Sequence, residues 1–114
     1  MVQKCIDAIK KINLDEDEVD LIDLRTLNPI DWEAVYRSVK KTGKLLIVHE
    51  DLKTGGVGAE ISARVTDKLF EDLDGPIKRV AAKDCHVPYN DLLESEILPQ
   101  TNQIIDAIND LMEY

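Results

Sequence analysis

Two histidines, two cysteines and a run of glycines are the residues of this chain best suited to chemistry. His49, Glu50 and Asp51 follow one apolar run, and Thr54-Gly55-Gly56-Val57-Gly58 comes directly after them. Asp84, Cys85 and His86 close a second apolar run. His49, Cys85 and His86 with a carboxylate have the donor types of a metal site, but nothing in their spacing enforces a ligand geometry. Cys85 and His49 would make a nucleophile and its base only within hydrogen-bond reach of each other. The glycine turn, placed before a helix, offers free N–H groups and a helix dipole to an anion. It follows neither GxGxxG nor the phosphate-loop pattern, so it is a weak nucleotide signature. Against these stands a structural reading. Polar strand-end residues hydrogen-bond within loops or across a subunit interface, and glycines permit tight turns and close backbone approach. The candidate interface or anion-binding residues are therefore His49, Glu50, Gly55, Gly56, Gly58, His86 and Tyr114. Trp32 and Tyr36, one helical turn apart, read as core aromatics, whereas Tyr89 and Tyr114 suit exposed contacts.

The elements that must position these residues are legible in the periodicity. Val2, Cys5, Ile6, Ile9 and Ile12 recur at helical spacing, predicting an amphipathic helix over 2–12. Val19–Leu24 reads as a largely buried strand, stopped before Pro29 because the residue ahead of a proline avoids the helical region. Asp31 suits the N-cap of a helix burying Trp32, Val35, Tyr36 and Val39, and Gly43 suits the left-handed residue closing it. Leu45–Val48, apolar without a break, predicts a central parallel strand covered on both faces. A long helix should run from the glycine turn to about Leu73, where Asp74-Gly75-Pro76 breaks it. Ile77–Ala82 is another strand, 83–98 an irregular segment containing Pro88, and a final helix carries Ile104, Ile105, Ile108, Leu111 and Met112. This order of helices and strands predicts an α/β fold, a three-layer α/β/α sandwich on a mainly parallel sheet. Open parallel sheets place their sites beyond the carboxyl ends of the strands, which here carry Arg25, Thr26, His49 to Asp51, and Asp84 to His86.

Size and charge bound the function. The 114 residues make one domain, and 44% hydrophobic content gives a small core. The net charge of −9 repels phosphate backbones, which argues against nucleic acid and favours a basic partner. Asp15-Glu16-Asp17-Glu18 reads as a solvated loop. No apolar run approaches a membrane span, and the first residues are amphipathic rather than a signal peptide. Two cysteines far apart read as reduced thiols, with a cytoplasmic or mitochondrial-matrix location expected.

The motifs IDLRTLNPIDWE, LLIVHED, TGGVGAEI, IKRVAAKDCHVPYN and ILPQ, in this order and spacing, cover the chain from Val19 onward. Together they resemble the C-terminal, transketolase-like domain of the beta subunit of thiamine-diphosphate-dependent 2-oxo acid dehydrogenases. These are the decarboxylating components of the pyruvate or branched-chain complexes. The resemblance implies thiamine diphosphate and magnesium in the parent oxidoreductase. It implies as partners an alpha subunit, a second beta subunit and a small basic subunit-binding domain of the acyltransferase. Glu94, Glu96, Asp106, Asp110 and Glu113 are the carboxylates expected to suit that basic domain.

Three departures shape what the resemblance implies. The family's large N-terminal cofactor-binding domain has no counterpart in these residues. The groups around the reactive ring lie mainly in that part, so no catalytic, cofactor-binding or metal residue carries over, and the isolated chain is expected to be inactive. The family's first strand of this domain, before the helix at 2–12, is also missing. An interior sheet position left open should make the chain self-associate, swap elements, or pair Val19–Leu24 directly with Leu45–Val48. The expected role is therefore subunit assembly and docking. The rival is a small α/β enzyme or binding module for a phosphorylated metabolite at Gly55–Gly58.

Overall fold

The computed structural model describes residues 1–15 and 17–114. Glu16, in the acidic run expected to be a solvated loop, lies outside the described residues. Among the described residues, five α-helices and two strands follow one another: α1 (Val2–Lys11), α2 (Trp32–Thr42), β1 (Leu46–Leu52), α3 (Val57–Leu69), β2 (Lys78–Ala82), α4 (Asp91–Ile97) and α5 (Thr101–Met112). A single 3-10 turn, Phe70–Asp72, finishes α3.

Local chemistry sets the ends of α2. The Asp31 carboxylate accepts from the N–H of Ala34 at 3.0 Å, satisfying one of the donors a helix start leaves free. Gly43, at φ 69°, closes the helix and its N–H reaches the Val39 carbonyl at 2.8 Å. Glycine adopts that backbone region without the steric cost other residues meet.

β1 and β2 pair in parallel, Leu46 opposite Lys78 and Val48 opposite Val80, and a register shift intervenes before Leu52 meets Ala82. Alternation along β1 divides its side chains between two cores. Ile47 joins Val35, Val39, Ile61, Val65 and Leu69 under α2 and α3. Leu46 and Val48 turn the other way, with Val80, onto Cys5, Ala8 and Ile104 of α1 and α5. The expected three layers, α2 and α3 over the parallel sheet over α1 and α5, are present. Cys5 is buried there, and burial raises its thiol pKa by disfavouring the thiolate.

Two sequence expectations differ from the structure. Val19–Leu24 has no regular secondary structure and does not pair with β1. Among the described residues, none of its six N–H groups donates to a backbone or side-chain acceptor. Far from being largely buried, Leu21 and Ile22 are 43% and 38% exposed. Apolar alternation predicts a strand only where a neighbouring strand stands within ladder distance, and here it has none. Leu24 still rests against the α2–α3 core, and Asp20 is tied to Lys41 at 2.8 Å. The hydrogen bond from Lys41 lowers the Asp20 pKa and raises that of Lys41.

The second difference is α4, inside the segment expected to be irregular. Asn90 caps it, its side-chain oxygen accepting from Leu92 N–H at 3.0 Å and Leu93 N–H at 3.4 Å. None of its residues is buried, so it lacks the apolar periodicity by which a helix is found.

Candidate functional site

The carboxyl edge of the sheet is built from the end of β1, the glycine turn and the loop after β2. β1 runs four residues further than the apolar run, so His49, Glu50 and Asp51 lie within the strand rather than after it. Both ring nitrogens of His49 are buried and without a hydrogen-bond partner among the described residues. The ring lies on the first turn of α3. A Cβ added at Gly58 would stand 2.3 Å from His49 Nε2, and one added at Gly56 would stand 2.9 Å from its Cε1. The same Cβ at Gly56 would be 2.2 Å from the carbonyl oxygen of Leu52. Gly56 and Gly58 are therefore glycine because helix, strand and imidazole meet there without room for a methyl group. Gly55 needs no such space but adopts φ 76°, the left-handed turn conformation.

The turn is locked from the β2 side. Asp84 accepts from the Thr54 N–H at 2.9 Å and from its hydroxyl at 2.6 Å. These hydrogen bonds stabilise the charged carboxylate, side-chain bond first, and lower its pKa. Arg79 Nη1 donates to the Lys53 carbonyl at 2.8 Å, and Lys53 N–H donates to the Ala82 carbonyl at 3.1 Å. This clasp is absent from any sequence motif, because it joins residues about thirty positions apart.

The geometry answers the chemical readings of this edge. The Asp51 carboxylate lies 3.4 Å from the Cβ position of Gly56, so negative charge already stands at the α3 N-terminus where an anion would sit. Thr54, the turn's hydroxyl, is committed to Asp84. His49 makes no hydrogen bond to Cys85, so no nucleophile–base pair forms between them. Cys85 and His86 are exposed in the loop after β2. Among the described residues no three His, Cys, Asp or Glu side chains converge to hold a metal ion. Thiamine diphosphate and magnesium do not fit this edge. A diphosphate would face Asp51 and Asp84, and the metal would find no converging oxygen ligands.

The seven candidate residues thus fall into separate places. His49, Gly55, Gly56 and Gly58 share the strand–turn–helix junction. Glu50, beside them, faces the amino terminus, its Oε1 3.6 Å from the Met1 nitrogen. His86 stands apart in the exposed loop. Tyr114 lies at the opposite edge, where its Cβ would be 3.1 Å from a Cβ on Gly75. A shallow groove of about 560 Å³ opens there, between Phe70, Leu73 and Ile77.

A different surface stands out that the sequence singled out only at Tyr89. Val87, Tyr89, Leu92 and Leu93 are all exposed, Leu92 at 79% and Tyr89 fully. They form an apolar ledge on and before α4, a helix with no buried residue of its own. The signal available in sequence was the run of large apolar residues beside Pro88 without helical or strand periodicity. Among the described residues no helix is long and apolar enough to cross a membrane.

Comparison with known proteins places this framework among relatives. A family model described as "Transketolase, C-terminal domain" matches residues 1–104. The chain is 38% identical over 107 residues to the pyruvate dehydrogenase E1 component subunit beta of Cyanidium caldarium, covering 94% of this chain and 33% of that protein. It is 44% identical over 91 residues to the subunit of the same name from Rhizobium meliloti, covering 80% and 20%. With the mitochondrial 2-oxoisovalerate dehydrogenase subunit beta 2 of Arabidopsis thaliana it shares 43% identity over 117 residues, covering 100% and 30%. The chain spans about a third or less of the length of these curated relatives.

Proposed function

This chain belongs to the transketolase C-terminal domain family, and we propose that it serves as the C-terminal assembly and docking domain of a 2-oxo acid dehydrogenase beta subunit. The observation that carries the reading is the apolar ledge of Val87, Tyr89, Leu92 and Leu93. Large apolar side chains left exposed close together in the chain, two of them before α4 and two on it, suit a protein contact surface, because leaving them in water forfeits the free energy of burial. The partners this reading assigns are an alpha subunit and a second beta subunit of a pyruvate or branched-chain enzyme. Thiamine diphosphate and magnesium belong to the parent enzyme, outside these residues, and the isolated domain is inactive. A soluble compartment, cytoplasmic or mitochondrial matrix, follows from such an assembly.

The net charge of −9 supports a second contact, with the small basic subunit-binding domain of the acyltransferase. Among the carboxylates assigned to it, Asp110 is pinned by Lys78 at 3.4 Å.

Mixing this chain with a purified alpha subunit and following co-elution tests the assembly role. Replacing Leu92 and Leu93 together by glutamate should abolish co-elution while the far-ultraviolet spectrum stays unchanged. Co-elution that survives the double substitution would sink the ledge as the contact. For the acyltransferase arm, titration of its binding domain should weaken steeply as salt rises; no salt-sensitive association would remove that arm alone.

A further inference from the structure

We infer that the outer edge of β2 receives an extended acidic segment of another polypeptide, with one of its carboxylates seated between Arg79 and Lys53. The backbone comes first. Lys78 N–H donates to the Leu45 carbonyl at 3.1 Å, and the Ala82 carbonyl accepts from Lys53 N–H at 3.1 Å. Lys78 and Ala82 therefore face β1, and alternation along a strand turns Arg79 and Ala81 the other way. Among the described residues, the N–H and C=O groups of Arg79 and Ala81 meet no partner on that side. Lys83, next in the alternation, donates its N–H to the Ile97 carbonyl at 3.2 Å. The open edge is thus short, closed at one end by the chain that leaves α4.

The side chains around that edge give it a sign. Four of the 14 basic residues, Lys53, Lys78, Arg79 and Lys83, lie on or beside β2. Lys78 is paired with Asp110 at 3.4 Å. Among the described residues, Lys53, Arg79 and Lys83 have no carboxylate in ion-pair contact. Asp84, their neighbour in the chain, spends its carboxylate on Thr54. A recess of about 200 Å³ opens between Lys53, Arg79, Gln103 and the strand residues Val80 and Ala81. Arg79 is oriented there in advance, since its Nη1 is fastened to the Lys53 carbonyl at 2.8 Å. The rest of its guanidinium fork remains available to donate.

Charge and hydrogen bonding together choose the occupant. A guanidinium holds a carboxylate through parallel N–H bonds, a geometry that favours a carboxylate over a neutral group. A free carboxylic acid would fill the recess but leave the edge of β2 unpaired. An extended segment with alternate acidic residues satisfies both, by the strand addition that open sheet edges accept. A second copy of β2 is repelled instead, because lysine and arginine on an edge oppose pairing with their own kind. The partner here is acidic, whereas the carboxylates Glu94, Glu96, Asp106 and Glu113 are assigned to a basic one. The inference therefore goes beyond the assembly role.

The test titrates this chain with an acetylated, amidated peptide of alternating glutamate and valine, and follows amide hydrogen exchange residue by residue. At saturation, exchange should slow about tenfold at Arg79 and Ala81, equivalent to roughly 1.4 kcal/mol. It should stay unchanged at Lys78 and Val80, whose N–H groups already serve β1. The same peptide with lysine for glutamate should protect neither pair. Lys53→Gln alters an exposed side chain, so the circular dichroism spectrum should be preserved while the glutamate peptide binds about threefold more weakly. Four results would overturn the inference. They are no slowing at Arg79 and Ala81 at saturating peptide, equal slowing with the lysine peptide, and unchanged affinity in Lys53→Gln. The fourth is slowing at those amides that grows with protein concentration without peptide, which would assign the edge to a second copy.

Discussion

The junction of β1 with α3 and the ledge on α4 are built in opposite ways. At the junction the glycines exist to let atoms approach: His49 fills the space beside Gly58, and Leu52 offers a carbonyl where Gly56 has no side chain. Asp84 and Thr54 then fasten the turn. On the ledge, large side chains touch little and α4 is held by its Asn90 cap rather than by a core. The contrast separates a surface already filled by packing from one left open. A glycine-rich turn after a strand invites a ligand on paper, but here it is a packing joint. The surface with unused binding energy is the one without a recognisable motif.

The glycines offer the largest effect with which to break this comparison. Gly56→Ala drives a methyl group against the Leu52 carbonyl, a backbone atom that cannot rotate away, and should cost about 3 kcal/mol in urea unfolding. Gly58→Ala meets the His49 imidazole instead, and should cost about 2 kcal/mol. Because that obstacle is a side chain, His49→Ala should recover much of the loss, with a coupling of about 1 kcal/mol or more in the double-mutant cycle. It should do nothing for Gly56→Ala beyond its own effect. Additive behaviour at Gly58 would mean that the joint is looser than the distances imply.

The ledge supplies the matching small effect. Leu92→Ala and Leu93→Ala remove apolar groups that are largely in water already, so each should change stability by about 0.5 kcal/mol or less. A loss comparable with the glycine variants would show that α4 is part of the core and would erase the distinction.

How much of this was legible in sequence depended on range. Asp31 and Gly43 act on atoms within four residues, and both behave as their residue types predict. The division of β1 between two cores also follows, since a continuous apolar run must be covered on both sides. Val19–Leu24 carries the pattern of a strand, but a pattern cannot supply the neighbour whose carbonyls would receive its N–H groups. α4 was hidden for the reverse reason: its cap is local, but it has no buried face and hence no period to read. At the site, residue types showed that His49 and the glycines were close in sequence, not that the imidazole would seal the turn. The clasp between Thr54 and Asp84 needed the fold itself.

That clasp gives the smallest effect and the sharpest sign. Asp84 has a pKa lowered from the ordinary 3.8 because Thr54 donates two hydrogen bonds to its charged form. A carboxyl whose folded pKa lies below its unfolded one stabilises the fold fully above the unfolded value. That contribution fades as pH falls through 3.8 and is gone once the folded carboxyl is also protonated. Asp84→Asn removes the titrating group, so the variant should unfold at lower urea than the parent at neutral pH. The gap should narrow as the solution is acidified below pH 3.8. Because Asp84 is exposed, solvent screens the charge and the gap stays small throughout. A gap that widened with acid would place the protonated form, not the charged one, in the clasp, and would leave the Thr54 hydroxyl accepting rather than donating.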